Sequence, residues 1–431
     1  MPIPLLAEGF GRGLSGIPYA WPVIKTAPWI ALVWLLKWYF AGATCRAERV
    51  MHGKVVLVTG GTAGIGAAVV RELATRGAQI VLLTRHAPND PFLVDYIQDL
   101  RTQTNNELIY AEQVDLASLH SIRVFATKWV DNAPPRRLDM IVLCASVMTP
   151  YWGTPRTTEE EGLEEEWMVN YLANFHLLSI LSPAIRAQPP DRDVRVLFST
   201  CSSYIGAQLD LNNTDQKTKS GSVSYARSKL ALMTFAYAFQ KHLDAYKRPD
   251  KMDNNARALI IDPGYSRTPG TQRWLSGGSL VGLFFYLFTW PIWWLLLKSA
   301  DQGAQSYLLA AMDAAYAQGA GGKLIKECRE LEPLRTEVQN EDIAKTLWQF
   351  SDKQIEQLEK DAAIKRAQAK KKQEQEAAKK ETQEEAAAKA KPNAKAAASP
   401  SPNTDSAAAA SSSATEQRKQ TPGSRRSKKA K

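Results

Sequence analysis

Between residues 54 and 262 the chain alternates short apolar runs with longer stretches whose apolar positions recur at helical spacing. The runs 54–59 (KVVLVT), 79–84 (QIVLLT), 108–115 (LIYAEQVD), 140–145 (MIVLCA), 194–200 (VRVLFST) and 256–262 (ARALIID) read as six strands. Most are apolar nearly throughout rather than at every second position, the pattern of strands buried on both faces. Strands separated by helices at this interval build βαβ units, so the pattern predicts an α/β fold with a doubly wound parallel sheet over residues 50–335.

Two further apolar stretches flank that region. In the N-terminal region, residues 1–49, the segment 27–36 (APWIALVWLL) is interrupted by Lys37 and resumes to Ala43; Trp21, Trp29, Trp34, Trp38 and Tyr39 crowd it. Its length reaches that of a membrane anchor if Lys37 snorkels, and the aromatic residues suit an interface. Arg46, Arg49 and Lys54 follow, which orients the body to the cytosol. The second stretch, residues 280–297, has 18 residues without charge and contains Pro291. Because parts of the same fold lie on both sides of it, it is predicted to lie in a membrane surface or re-enter rather than cross. Residues 336–391 read as a charged segment, from Asp352 either a solvated helix or disordered, and 392–431 as a disordered basic tail.

Composition narrows the function. Of 431 residues 45% are hydrophobic and 23% charged, which excludes a wholly disordered or disulfide-scaffold protein. The net charge of +10 could point to nucleic acid, yet +8 of it falls after residue 351, leaving the folded body nearly neutral. No aromatic platform accompanies the terminal RRSKKAK, so no nucleic-acid partner is expected, and attraction to anionic lipid fits that charge at least as well. Cys45, Cys144, Cys201 and Cys328 are widely spaced, supporting neither a metal site nor a disulfide framework; they read as reduced, buried thiols of a cytosolic protein. The sequon Asn212-Asn213-Thr214 would matter only in a luminal protein.

The chemistry begins after the first strand, where Gly60, Gly61, Gly64, Ile65 and Gly66 stand in the run TGGTAGIG before an amphipathic helix. Strand, glycine turn and helix let a backbone approach a pyrophosphate and aim the helix N-terminus at it. At the end of the second strand stands Arg85, where an NAD site would carry a carboxylate; an arginine suits the 2′-phosphate of NADP(H). Tyr225 and Lys229 lie four apart on one predicted helix face, after the hydroxyl cluster Ser199, Thr200, Ser202 and Ser203.

In this order, TGGTAGIG, Asp115, Asn170, the serine cluster, YARSK and DPGYSRT with Thr268 resemble the short-chain dehydrogenase/reductase family. LDMIVLCASVMTP, VNYLANFHLL and KSADQGAQSYLLAA resemble its retinol-dehydrogenase-like, membrane-associated branch. The resemblance implies a Rossmann-type fold and NADP(H)-dependent interconversion of alcohol and carbonyl on a lipophilic small molecule, with homodimerisation open. It implies Tyr225 as acid/base, Lys229 lowering its pKa and holding the nicotinamide ribose, and Asn170 in a proton relay. Ser203, or Ser202 one residue away, would bond the substrate oxygen. Gly60, Gly64, Ile65, Gly66, Arg85, Asp115 by the adenine and Thr268 by the carboxamide would hold the cofactor, with no metal. Leu143-Cys144-Ala145-Ser146 departs from the family's Asn-Asn-Ala-Gly. The expected place of work is the cytosolic face of endoplasmic reticulum or lipid droplet. A non-catalytic nucleotide-binding scaffold on such a surface is the alternative.

Overall fold

The computed structural model describes residues 20–150, 153–209, 211, 220–252 and 254–389. The sequon at 212–214, residues 1–19 and the tail expected from 392 lie outside the described residues. Eight strands form one sheet in the order β3-β2-β1-β4-β5-β6-β7-β8. The six expected strands are β1 (Val55–Thr59), β2 (Gln79–Thr84), β3 (Ile109–Gln113), β4 (Met140–Leu143), β5 (Val194–Ser199) and β6 (Ala256–Asp262). Two short strands extend the sheet: β7 (Lys323–Lys326), parallel to β6, and β8 (Arg329–Leu331), antiparallel to β7. Strand order reverses between β1 and β4, which opens a crevice at the carboxyl ends of the strands.

The helices are α1 (Ala20–Ala41), α2 (Gly64–Thr75), α3 (Pro91–Thr104), α4 (Leu119–Val130), α5 (Ala173–Arg186) and α6 (Gly221–Asp244). They continue with α7 (Pro269–Leu275), α8 (Leu280–Phe288), α9 (Trp290–Leu296), α10 (Ala300–Met312) and α11 (Glu341–Lys389). Local chemistry sets several starts. Asp90 accepts from Phe92 N ahead of Pro91 in α3, and Ser299 with Gln302 forms a capping box on α10. The two sheet faces carry separate cores: α4, α5 and α6 cover one, α2, α3 and α10 the other. Strand residues such as Val56, Leu57, Ile141 and Ile260 have no exposed surface, the burial that the continuous apolar runs required.

Residues up to Arg366 form one compact unit; of the second, 367–431, the continuation of α11 to Lys389 is described. The start of α11 belongs to the core. Leu347 and Ile355 are buried, Ser351 bonds Tyr171 at 2.6 Å, Gln354 accepts from the Trp167 indole, and Trp348 packs on Phe175 and Phe235. The start of α11 thus packs on the core as far as Leu358, and over residues 361–368 the helix is exposed nearly throughout. Among the described residues, the helical stretch long and apolar enough to cross a membrane is 165–186, and most of it is buried against the sheet as a core helix.

The run 280–297 folds as two short helices, α8 and α9, broken at Thr289 ahead of Pro291. Lys37 Nζ donates to Trp294 O at 2.6 Å and Leu297 O at 3.3 Å, the orphan carbonyls ending α9, and lies 5.0 Å from the Trp294 ring centroid. Two apolar segments far apart in sequence are thereby joined.

Candidate active site

At the carboxyl edge of β1, β4, β5 and β6 lies a cavity of about 310 Å³. One wall is the glycine turn. Gly60 has φ +68°, and a Cβ there would stand 2.7 Å from the Ala145 backbone; Gly64 has φ +59°. A Cβ on Gly66 would collide with Gly60 O. These positions require glycine because β1, the turn and α2 close on one another. The first turn of α2 has neither a side-chain cap nor an acidic residue, so its N–H groups are free to meet an anion.

The facing wall is built by β5 and α6. Lys229 Nζ donates to Ser199 O at 3.1 Å and lies 5.5 Å from the Tyr225 ring centroid. The Cys201 thiol donates to Tyr225 Oη at 3.6 Å and sits 2.7 Å from Ser203 Oγ. Burial pushes the Tyr225 phenol well above its ordinary value, with Cys201 adding to the rise. Burial likewise pushes the Lys229 ammonium down.

Of the residues singled out from the sequence, Gly60, Gly64, Ile65, Gly66, Tyr225, Lys229 and Thr268 line this one cavity. Ser199 and Thr200 of the hydroxyl cluster line it as well, whereas Ser202, Ser203, Arg85, Asp115 and Asn170 stand outside its lining. Asn170, fully buried in a π-helical stretch (Met168–Leu172), accepts from Val147 N at 2.7 Å and donates to Val147 O at 2.9 Å and Ser228 Oγ at 3.1 Å. It fastens the loop after β4 to α6. Asp115 Oδ1 accepts from Ala117 N at 2.9 Å, shaping the turn after β3. Arg85 is exposed at the end of β2, and its guanidinium has no partner among the described residues.

Ser202 Oγ donates to Asp262 at 2.8 Å and accepts from Lys326 at 2.7 Å, away from the cavity. Ser203 reaches the cavity only through Cys201. Sequence reasoning missed Cys144, Ser146, Cys201, Ser266 and Tyr307, all of which line it. All four cysteines are free, and as residues only partly rather than fully buried; two of them, Cys144 and Cys201, line the cavity. The signal for Cys201 was available: side chains 199 and 201 fall on one side of an extended chain.

The family model for short chain dehydrogenases matches residues 54–277. The chain belongs to the short chain dehydrogenase family. Across 86% of its length it is 44% identical to the uncharacterized oxidoreductase pbr1 of Schizosaccharomyces pombe, matching all of that protein. Retinol dehydrogenase 13 of Mus musculus is 32% identical over 73% of this chain and 87% of its own. Polyprenol dehydrogenase of Mus musculus is 32% identical over 69% and 82%. These relatives agree with the retinol-dehydrogenase-like branch that the sequence resembles. A crystal structure from Mycobacterium Paratuberculosis, 23% identical, overlays with a TM-score of 0.52 over 73% of this chain and 98% of that one, which shares the fold. As a member of this family the protein is an oxidoreductase acting on alcohol or carbonyl groups with a nicotinamide dinucleotide. Its cavity fits that group: the cradle excludes Cβ atoms, the α2 N-terminus is uncapped, and Thr200 Oγ1 and Ser266 Oγ are buried there without partners.

Proposed function

We propose that this protein is an NADP(H)-dependent oxidoreductase that interconverts carbonyl and alcohol on a lipophilic molecule, working at the cytosolic face of endoplasmic reticulum or a lipid-droplet surface. The observation carrying this reading is the Tyr225 phenol, held within one cavity opposite the glycine turn and beside Lys229. The dinucleotide supplies a hydride when bound. The chain supplies the rest: Tyr225 gives its proton to the substrate oxygen, and Lys229, fixed by Ser199 O, lies where it orients the ribose and draws charge towards the phenol. Arg85, exposed after β2 and without a side-chain partner among the described residues, supports the phosphorylated dinucleotide.

For the lipophilic substrate, support comes from the surface and from the relatives' names. Retinol and polyprenol are both lipophilic alcohols. Leu280, Val281, Phe284, Phe285, Leu287 and Phe288 of α8 are exposed, Leu280 at 85% and Phe288 at 77%, beside an α1 that exposes Trp29, Trp34, Trp38 and Tyr39. An apolar surface of this extent marks a membrane or partner contact. It follows α7, whose cap Thr268 lines the cavity, so the same segment can admit a substrate from the lipid. The experiment is NADPH oxidation over retinoid, steroid and long-chain isoprenoid carbonyls with wild type and Tyr225→Phe. The variant is expected to lose turnover by about 10²-fold or more, the scale of general acid catalysis, while still binding NADPH. A wild type that binds neither reduced dinucleotide would refute the reading, and equal turnover by the variant would remove Tyr225 from it.

A further inference from the structure

We infer that Cys201, rather than either serine after it, is the side chain that meets the substrate oxygen beside Tyr225, with Ser203 orienting its thiol. This rests on the oxidoreductase reading above and names the second hydrogen-bonding group of that same site.

Backbone geometry decides the assignment. Past the end of β5 the chain stays extended to Cys201 (φ −157°, ψ 163°), then turns at once into a 3₁₀ helix, Ser202–Gly206. On the extended part, side chains 199 and 201 share a face, and both residues line the cavity. The 3₁₀ turn carries the next two side chains off that face. Ser202 is committed to Asp262 and Lys326, and neither serine lines the cavity. The Cys201 thiol instead stands 3.6 Å from Tyr225 Oη. Two donors at that separation can both reach a single oxygen, which is the geometry for holding a carbonyl while the phenol delivers its proton. Ser203 Oγ, 2.7 Å from the sulfur, fixes the thiol rotamer and makes Ser203 a positioning residue.

A thiol is a weaker donor than a hydroxyl and has a larger, more polarisable atom. Removing it therefore costs a hydrogen bond, and a hydroxyl at the same position restores one. The test compares Cys201→Ala, Cys201→Ser, Ser202→Ala and Ser203→Ala in the full chain, reading kcat and KM for a long-chain isoprenoid aldehyde and, separately, NADPH affinity. Unchanged NADPH binding certifies that each variant is folded.

Cys201→Ala is expected to lose about 10-fold or more in kcat/KM, the upper range for one hydrogen bond that strengthens in the transition state. Cys201→Ser is expected to recover to within about 3-fold of wild type, and Ser203→Ala to lose less than Cys201→Ala. Iodoacetamide gives an independent reading: it forms an S–C bond at Cys201, releases iodide, and leaves the thiol proton to the buffer. Burial pushes the neighbouring Cys144 thiol up to about 12, so it is a poor competitor. Wild-type turnover should fall at least tenfold on alkylation, while Cys201→Ser resists. A larger loss in Ser203→Ala or Ser202→Ala than in Cys201→Ala overturns the assignment and leaves the oxidoreductase reading standing. A wild type without NADPH binding or turnover defeats both together.

Discussion

Tyr225 sits where burial raises the pKa of its phenol. Its phenol is pushed well above the usual value of about 10, so at neutral pH it is an acid and carbonyl reduction is the direction it serves without prior ionisation. Reduction should then keep a constant single-turnover rate from about pH 6 to about pH 9, because the protonated form persists below the raised pKa. Alcohol oxidation needs the phenolate and should climb with pH over the same interval. A reduction rate that falls within that window would show the phenol titrating at its ordinary place or below. Arg85 is the residue for the cofactor. Its free guanidinium is expected to hold a 2′-phosphate, so Arg85→Ala should weaken NADPH by about tenfold or more, as for a hydrogen bond to a charged group, and leave NADH unchanged. Titration of both dinucleotides measures it. At this scale the sequence was informative wherever the backbone setting is local: the glycines sit where strand, turn and helix adjoin, and Tyr225 and Lys229 share one helix face, while the order of the strands in the sheet brings these and Thr268 to one cavity. Matching the serine cluster was not enough, since a tight turn decides which side chain faces the cavity.

Among the elements, the start of α11 has consequences for stability. Trp348 lies 5.3 Å from Phe175, 5.5 Å from Phe235 and 5.4 Å from His242 between ring centroids, closing the core over α5 and α6. Because Trp348 is only half-buried, Trp348→Ala should cost about 2–4 kcal/mol, towards the lower end for large aromatic truncations. Chemical denaturation of the full chain checks it; a change under about 0.5 kcal/mol would show that the helix start is not part of the cooperative core. The positions Leu347, Ser351, Ile355 and Leu358 recur at three- and four-residue spacing, so this packed face was readable in the sequence. The strands β7 and β8, four and three residues long, carry too little pattern to announce themselves; pairing of β7 with β6 and of β8 with β7 supplies what local propensity lacks.

For the whole molecule, α1, α8 and α9 make one apolar surface from segments some 250 residues apart. In α8 Tyr286 is 6% exposed and packs inward, while Phe284, Phe285 and Phe288 face out. Replacing Phe284 and Phe288 with Asp should lower association with phosphatidylcholine vesicles at least tenfold, given about 1.5–3 kcal/mol for each large apolar side chain withdrawn from water. NADPH affinity should not change, since neither residue touches the cavity; flotation that is unaffected would show that this surface is not a membrane contact. The sequence by itself determined the doubly wound sheet, its glycine turn and the pairing of Tyr225 with Lys229, because burial on both faces and helix periodicity leave their mark residue by residue. Only the tertiary structure decided that Lys37 caps α9, that Cys201 rather than Ser202 or Ser203 stands at the phenol, and that burial raises the pKa of the phenol. Each of those depends on groups brought together by the folded chain, and a contact between distant segments imposes no periodicity on either.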